Sequence, residues 1–336
     1  MTTFNQFWQV ERSVFLQAVD TNKIFLPQSL QIDLDRLLLL SQQPQTVAFV
    51  IGPKGTGKST YLKWLNAQFP VAQYDTLLTT MISPEPQAGW LARRLSEFFG
   101  TRGKPSDNEH LLGDVVSRLD ELIEEKRRLV VFVDAAHMAE SAEAWQELAS
   151  LMSLQALAEP CISFVLCGEP RLLQLFTSSE SLTTHISFAL EVPTLSEAET
   201  GAYIHYRLEL ANITAELPSD ALRTLFDESR GVIARINMLA ENCLIECSLR
   251  ESRVITRDIV AAAKRYIAGK PPHVSSATGL GMPLTALYKP STPPPPVQNV
   301  EAPPPPPTTN AADSREKDFP GIRLASLFKS DGSRKR

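Results

Sequence analysis

The stretch 52-GPKGTGKST-60 follows the apolar run TVAFVI (46–51) and leads into a helical pattern through Leu62, Trp64 and Leu65. Strand, glycine-rich turn and helix in that order, with G-x-x-x-x-G-K-[ST] met at each fixed position, mark a phosphate-binding loop. Glycines let the backbone wrap a β-phosphate with its N–H groups pointing inward, and the helix that starts there adds the positive end of its dipole. The expected nucleotide contacts are Gly52, Pro53, Lys54, Gly55, Thr56, Gly57, Lys58, Ser59 and Thr60. Lys58 would reach the β- and γ-phosphates and Ser59 would ligate Mg²⁺, so ATP and Mg²⁺ are the expected ligand and metal.

About seventy residues on, LVVFVDAAH (129–137) reads as an apolar strand ending in Asp134, the natural second group for the hydrated Mg²⁺. CISFVLCG (161–168) and ISFALEV (186–192) are further strands of the same kind. Such continuous apolar runs suit strands buried on both faces. Between them, 84–100 and 106–126 read as helices, the second opened by Ser106 and Glu109 at capping-box spacing. The fold class expected is α/β: a three-layer parallel sheet of the P-loop NTPase type with additional strands between the two motifs. No NKxD-like base-reading motif points to a small GTPase.

After Pro193 no further strand is expected. Four helical patterns run to about residue 268, the first capped by Ser196 with Glu199, and they suit an all-α lid beside the nucleotide. Proline runs at 293–296 and 303–307 read as an extended, solvated segment. The expected organisation is a helical lead-in (1–45), ATPase core (46–192), helical lid (193–268), disordered proline-rich linker (269–318) and a short basic amphipathic tail (319–336). In that tail, FPGIRLASLFK, residues Leu324, Leu327 and Phe328 fall on one helical face with cations around them, a pattern suited to a protein groove or an anionic membrane surface.

The 336-residue chain is 43% apolar and 21% charged, as soluble globular proteins are, and its formal net charge of -5 offers no global attraction to nucleic acid. Arg93, Arg94 and the basic run 126–128 read as solvated helix ends. The four cysteines are expected to be buried free thiols, since Cys243 and Cys247 have no second pair to complete a zinc site. No secretory leader or membrane span is read, and a cytoplasmic protein is expected, with peripheral contact to the inner membrane through the tail as one expectation.

The order phosphate loop, VFVDAAH, VLCGEPRLLQL (165–175), ALEVPTLSEAETGAYIHYRLELAN (189–212) and GVIARINMLAENCLI (231–245) resembles the AAA+ ATPases of the ExeA type, relatives of the transposition ATPases TniB and MuB. The resemblance covers roughly 25–268 and is most specific at YIxxRL (203–208) and G-x-x-x-R-I-N (231–237). It implies an AAA+ core with lid, and it places Arg235 at the lid arginine that reaches back to the γ-phosphate and couples lid angle to nucleotide state. It also implies assembly into a homo-oligomer on ATP binding.

Three departures bear on activity. Ala135 stands where the family has the glutamate that polarises water, Glu169 where it has glutamine, and His185 where it has an arginine aimed at a neighbouring subunit. Glu169 follows a strand expected beside the phosphate-loop strand, so its carboxylate is the candidate replacement base, with Glu140 or His137 second. The catalytic set expected is Asp134, Glu169 and Arg235. The leading expectation is an ATP-binding protein with slow hydrolysis that assembles or remodels a protein complex of the secretion, pilus or cell-envelope type. The alternatives are a nucleotide-dependent DNA-binding protein, disfavoured by the acidic balance, and a nonhydrolysing scaffold.

Overall fold

A computed structural model describes residues 3–267 except 18–19, 83–88, 101–107, 141, 156–158 and 179. Ser106, the proline-rich segment and the basic tail lie outside the described residues.

In chain order the elements are α1 (Phe4–Trp8), α2 (Gln28–Ser41), β1 (Val47–Ile51), α3 (Lys58–Ala67), β2 (Tyr74–Thr80), α4 (Trp90–Phe99), α5 (Asn108–Glu124) and β3 (Arg128–Asp134). Next come two single 3₁₀ turns (Ala136–Met138 and Ala142–Trp145), α6 (Gln146–Gln155), β4 (Ile162–Gly168), α7 (Arg171–Thr177), α8 (Glu180–Thr183) and β5 (Ile186–Glu191). Four helices follow: α9 (Glu197–Leu210), α10 (Ser219–Ser229), α11 (Ile233–Leu249) and α12 (Arg257–Ile267).

The five strands form one parallel sheet in the order β2-β3-β4-β1-β5. Side chains alternate across a strand, and both alternations are apolar here. Val47, Phe49 and Ile51 of β1, with Val131 and Val133 of β3, enter a core built with α4–α7. Ala48 and Val50, with Val130 and Phe132, enter a second core under α2 and α3. That double burial is the reason these strands read as unbroken apolar runs. β2, at the edge, is half-exposed along most of its length and holds Asp75 and three threonines, so it carries no such run.

α9–α12 make a third core, and the chain's first residues are part of it. Trp8, Val14 and Phe15 are buried against α11 and its neighbours. The indole N–H of Trp8 donates to the Leu244 carbonyl at 3.0 Å, and the Glu241 carboxylate accepts from the Val14 and Phe15 amides at 3.1 and 2.8 Å. The lead-in is therefore split: residues 4–15 pack with the helical unit, and α2 packs on the sheet.

Candidate functional site

Because the strands are parallel, the segments leaving β1, β3 and β4 share one edge of the sheet, where open α/β sheets bind ligands. Pairing fixes the details. Ile51 is level with Gly168 and Val133 with Leu166, so Asp134 comes level with Cys167, and Glu169 follows beside the phosphate loop. β4 lies between the loop strand and the Asp134 strand, as expected for Glu169.

The loop 52–57 passes from β1 into α3 through Gly55 (φ 86°) and Gly57 (φ 92°), left-handed conformations that strain any side-chain-bearing residue. A Cβ on Gly55 would lie 3.0 Å from Ala234 and Val232 atoms, and one on Gly57 would lie 3.2 Å from Ile233. The Ala234 amide donates to the Gly55 carbonyl at 2.9 Å. The two glycines thus let the loop turn and admit the start of α11 close beside it.

Thr56 is buried and its hydroxyl donates to the Pro53 carbonyl at 3.0 Å, closing the loop on itself. Lys58 donates to the same carbonyl at 2.7 Å. Burial lowers the Lys58 ammonium from its usual value, and Cys167, Glu169 and Asp134 pull it back up. Pro53 and Lys54 are exposed at the loop's rim, Gly52 is buried, and Ser59 and Thr60 lie in the first turn of α3, Ser59 exposed.

Asp134 is half-buried at the end of β3, one oxygen accepting from the Ala135 amide at 2.8 Å. Ala135 itself is left-handed (φ 52°). Cys167 is buried against Asp134, and burial first, then the Asp134 charge and hydrogen bond, push its thiol well above the usual range. It is an inert neighbour that sequence reading did not connect with the site, although the strand register contains the signal. The donor set of Ser59 hydroxyl and Asp134 carboxylate is hard and all-oxygen, which fits Mg²⁺ held jointly with phosphates. Among the described residues no group of three or more His, Cys, Asp or Glu could hold a metal alone. Bound there, Mg²⁺ would neutralise charge on the phosphates.

Glu169 is held from two sides. His137 Nε2 lies 3.5 Å from one carboxylate oxygen and Arg171 Nε lies 3.9 Å from the other, while Arg171 also reaches Glu140 at 3.4 Å. Glu140 is exposed on the far side of Arg171. Arg235 is exposed in the first turn of α11, next to the residue that bonds the loop. His185 is half-buried ahead of β5, and burial lowers its imidazole pKa. All four cysteines are buried thiols outside any disulfide.

A parallel sheet in the order 2-3-4-1-5, with a phosphate loop after β1, an aspartate ending β3 and a four-helix unit following β5, is the P-loop AAA+ fold. Residues 41–176 match the family model described as an AAA domain. Among solved structures, the chain is similar to the Aeropyrum pernix ORC2 protein in its ADPNP–ADP complexes, at 17% identity and TM-score 0.58 over 77% of this chain and 72% of that one. It is also similar to the A. pernix ORC1 protein in complex with DNA, at 16% identity and TM-score 0.57 over 76% and 68%. At these identities the likeness is one of fold. No curated protein matches.

Proposed function

We propose that this chain is an ATP-driven switch that binds ATP with Mg²⁺, hydrolyses it slowly and, in its ATP state, assembles with further copies to build or remodel a partner complex. The observation that carries the reading is the bond from the Ala234 amide to the Gly55 carbonyl, which ties the phosphate loop to the start of α11. An arriving γ-phosphate draws Lys58 off the Pro53 carbonyl and reshapes the loop, and α11 is bound to that loop directly. Arg235, one residue further on, is assigned to the γ-phosphate from the lid side, with Ser59 and Asp134 assigned to Mg²⁺ and Glu169 to the attacking water.

The ExeA resemblance supports a partner of the secretion, pilus or cell-envelope type, and the tail is assigned the docking role toward it or toward an anionic membrane face. No described helix is long and apolar enough to cross a membrane. The test is a spectroscopic distance between probes on α5 and α12 in the full chain, with light scattering for assembly, under ATP, ADP and no nucleotide. ATP-specific change in distance and mass is expected. A chain that binds no ATP, or binds it without either change, refutes the reading.

Nucleotide-dependent DNA binding is a second reading, suggested by the ORC1 protein's being in complex with DNA. The basic clusters weigh against it. Arg127 pairs with Asp75 and Glu125, Arg128 donates to the Gln42 carbonyl at 2.9 Å, and Arg94 pairs with Glu97. Salt-dependent binding of duplex DNA in the ATP state alone would support this second reading.

A further inference from the structure

We propose that His137 is a positioning residue for hydrolysis, holding the Glu169 carboxylate where it takes the proton from the attacking water in place of the glutamate absent at Ala135. The inference rests on the reading of this site as an ATPase.

Three independent features of the geometry converge on the pair. The turn Ala136–Met138 carries His137 close over the end of β4, where the glycine at 168 makes room for it: a Cβ there would lie 3.0 Å from both the Cβ and the amide nitrogen of His137. The imidazole is then mostly buried, and among the described residues Nδ1 is enclosed with no hydrogen-bond partner. A histidine kept for structural bonding would satisfy both nitrogens. Among the described residues Nε2 faces the Glu169 carboxylate at 3.5 Å, so the tautomer with its proton on Nε2 costs least. That distance is long for a hydrogen bond, as catalytic contacts commonly are before substrate binds.

The pair also lies in the right place. Glu169 is near enough to Lys58 for its charge to act on that ammonium, as does Asp134. Half-exposed Arg171 pairs with the other carboxylate oxygen at 3.9 Å. In the step proposed, a water oxygen bonds to the γ-phosphorus and its proton passes to Glu169. The bond from that phosphorus to the β,γ-bridging oxygen breaks, and its electron pair leaves with ADP. Glu169 then returns its proton to solvent. His137 exchanges no proton.

The test measures kcat, KM and labelled-ATP affinity in the full chain for the wild type, His137→Ala, His137→Asn and His137→Gln, each with Ala135 or with Ala135→Glu. Gln places an amide N–H near the position of Nε2, whereas Asn does not reach it. His137→Ala and His137→Asn are expected to lower kcat about 10- to 100-fold, the usual effect of misplacing a reacting group by about 1 Å. KM and ATP affinity stay unchanged, and His137→Gln keeps most of the rate. With Ala135→Glu the loss disappears, because the introduced carboxylate takes the proton itself. Equal kcat in all His137 variants overturns the inference, as does an equal loss in both backgrounds, which would mark a structural role. Wild-type protein that binds ATP without Lys58-dependent turnover overturns it too. Failure of the wild type to bind ATP removes the parent reading, whereas normal binding with turnover indifferent to His137 removes this inference alone.

Discussion

Replacing Glu241 with alanine tests whether the first residues of the chain are a working part of the helical unit. Glu241 lies on α11 and is only 4% exposed. It accepts the amides of Val14 and Phe15, two donors that have no helix or strand to satisfy them. Removing it leaves two buried N–H groups at about 1–3 kcal/mol each, so about 2–6 kcal/mol together. The segment has an alternative, which is to peel away. That exposes Trp8, Val14 and Phe15 at about 1.5–3 kcal/mol for each large apolar side chain, about 4.5–9 kcal/mol together, which overlaps only the upper part of that range. Glu241→Ala therefore narrows the gap to the peeled state by about 2–6 kcal/mol and is expected to make residues 4–15 open far more often, and Glu241→Gln, which keeps an acceptor oxygen, to cost about 1 kcal/mol. Hydrogen exchange at the Val14 and Phe15 amides reads the release, and urea unfolding reads the energy. Unchanged protection of both amides, with a stability loss under about 0.5 kcal/mol, would refute the account.

Lys58→Ala is expected to abolish ATP binding or leave it very weak, since it removes the cation that faces the phosphates; labelled ATP held as tightly as by the wild type would show the site assignment wrong. Gly231→Ala should destabilise the fold by at least about 1–2 kcal/mol from the left-handed backbone alone (φ 69°), with more from a Cβ driven into the Leu195 carbonyl; urea midpoints equal to the wild type would contradict that contact. Burial pushes the Glu199 carboxyl up, but hydrogen bonds from Ser29 and Ser196 outweigh it and hold the pKa below 4.5. A depressed carboxylate stabilises the folded chain above that value and loses the contribution as pH falls below it. In a carbon-detected titration Ser29→Ala should move Glu199 back up, and an unmoved midpoint would count against the Ser29 bond.

Much of the fold was legible where the chemistry is local. The loop, the apolar strands β1, β3 and β4, and the capping box of Ser196 with Glu199 each follow from a few adjacent residues, and the box is formed as read. β2 was missed because an edge strand of threonines beside one aspartate, half-exposed along most of its length, has no apolar run to display. The lead-in was read as a helical prelude. Its destination depends on contacts spanning 227 residues, as between Val14 and Glu241, which no local pattern encodes. The stretches that carried the family resemblance most specifically are largely structural. Tyr203 donates to Asn237 at 2.6 Å, Arg207 donates to Tyr203 at 3.0 Å and to the Val14 carbonyl at 2.5 Å, and its guanidinium stacks over Phe15. A motif rich in Tyr, Arg and Asn looks like chemistry in a sequence because such residues are costly to bury. Here Tyr203 and Arg207 are buried with hydrogen bonds to each other, to half-buried Asn237 and to the Val14 carbonyl, which is the other way to meet that cost.

This network gives the nucleotide loop a mechanical reach that the loop residues alone would not suggest. α11 touches Gly55 through Ala234 at its first turn, and seven residues later, on the same helix, Glu241 grips the amides of Val14 and Phe15. At 1.5 Å per residue the two contacts are about 10 Å apart along one hydrogen-bonded rod. A helix of this length transmits a shift at one end as rotation of the whole, because bending it would break backbone bonds while rotating it repacks only its faces. Between Phe15 and the sheet the chain runs back to Phe25, whose ring meets Tyr203 and Tyr206 of α9, and to Ser29, which bonds Glu199 of the same helix. The helical unit is thus joined to the sheet twice, through residues 192–196 after β5 and through the returning segment before α2. With the bond from the Ala234 amide to the Gly55 carbonyl as a further tie, the unit is restrained where it meets the sheet. A unit restrained in this way would turn a small change in the loop into one defined movement, which is what the proposed ATP-state switch requires.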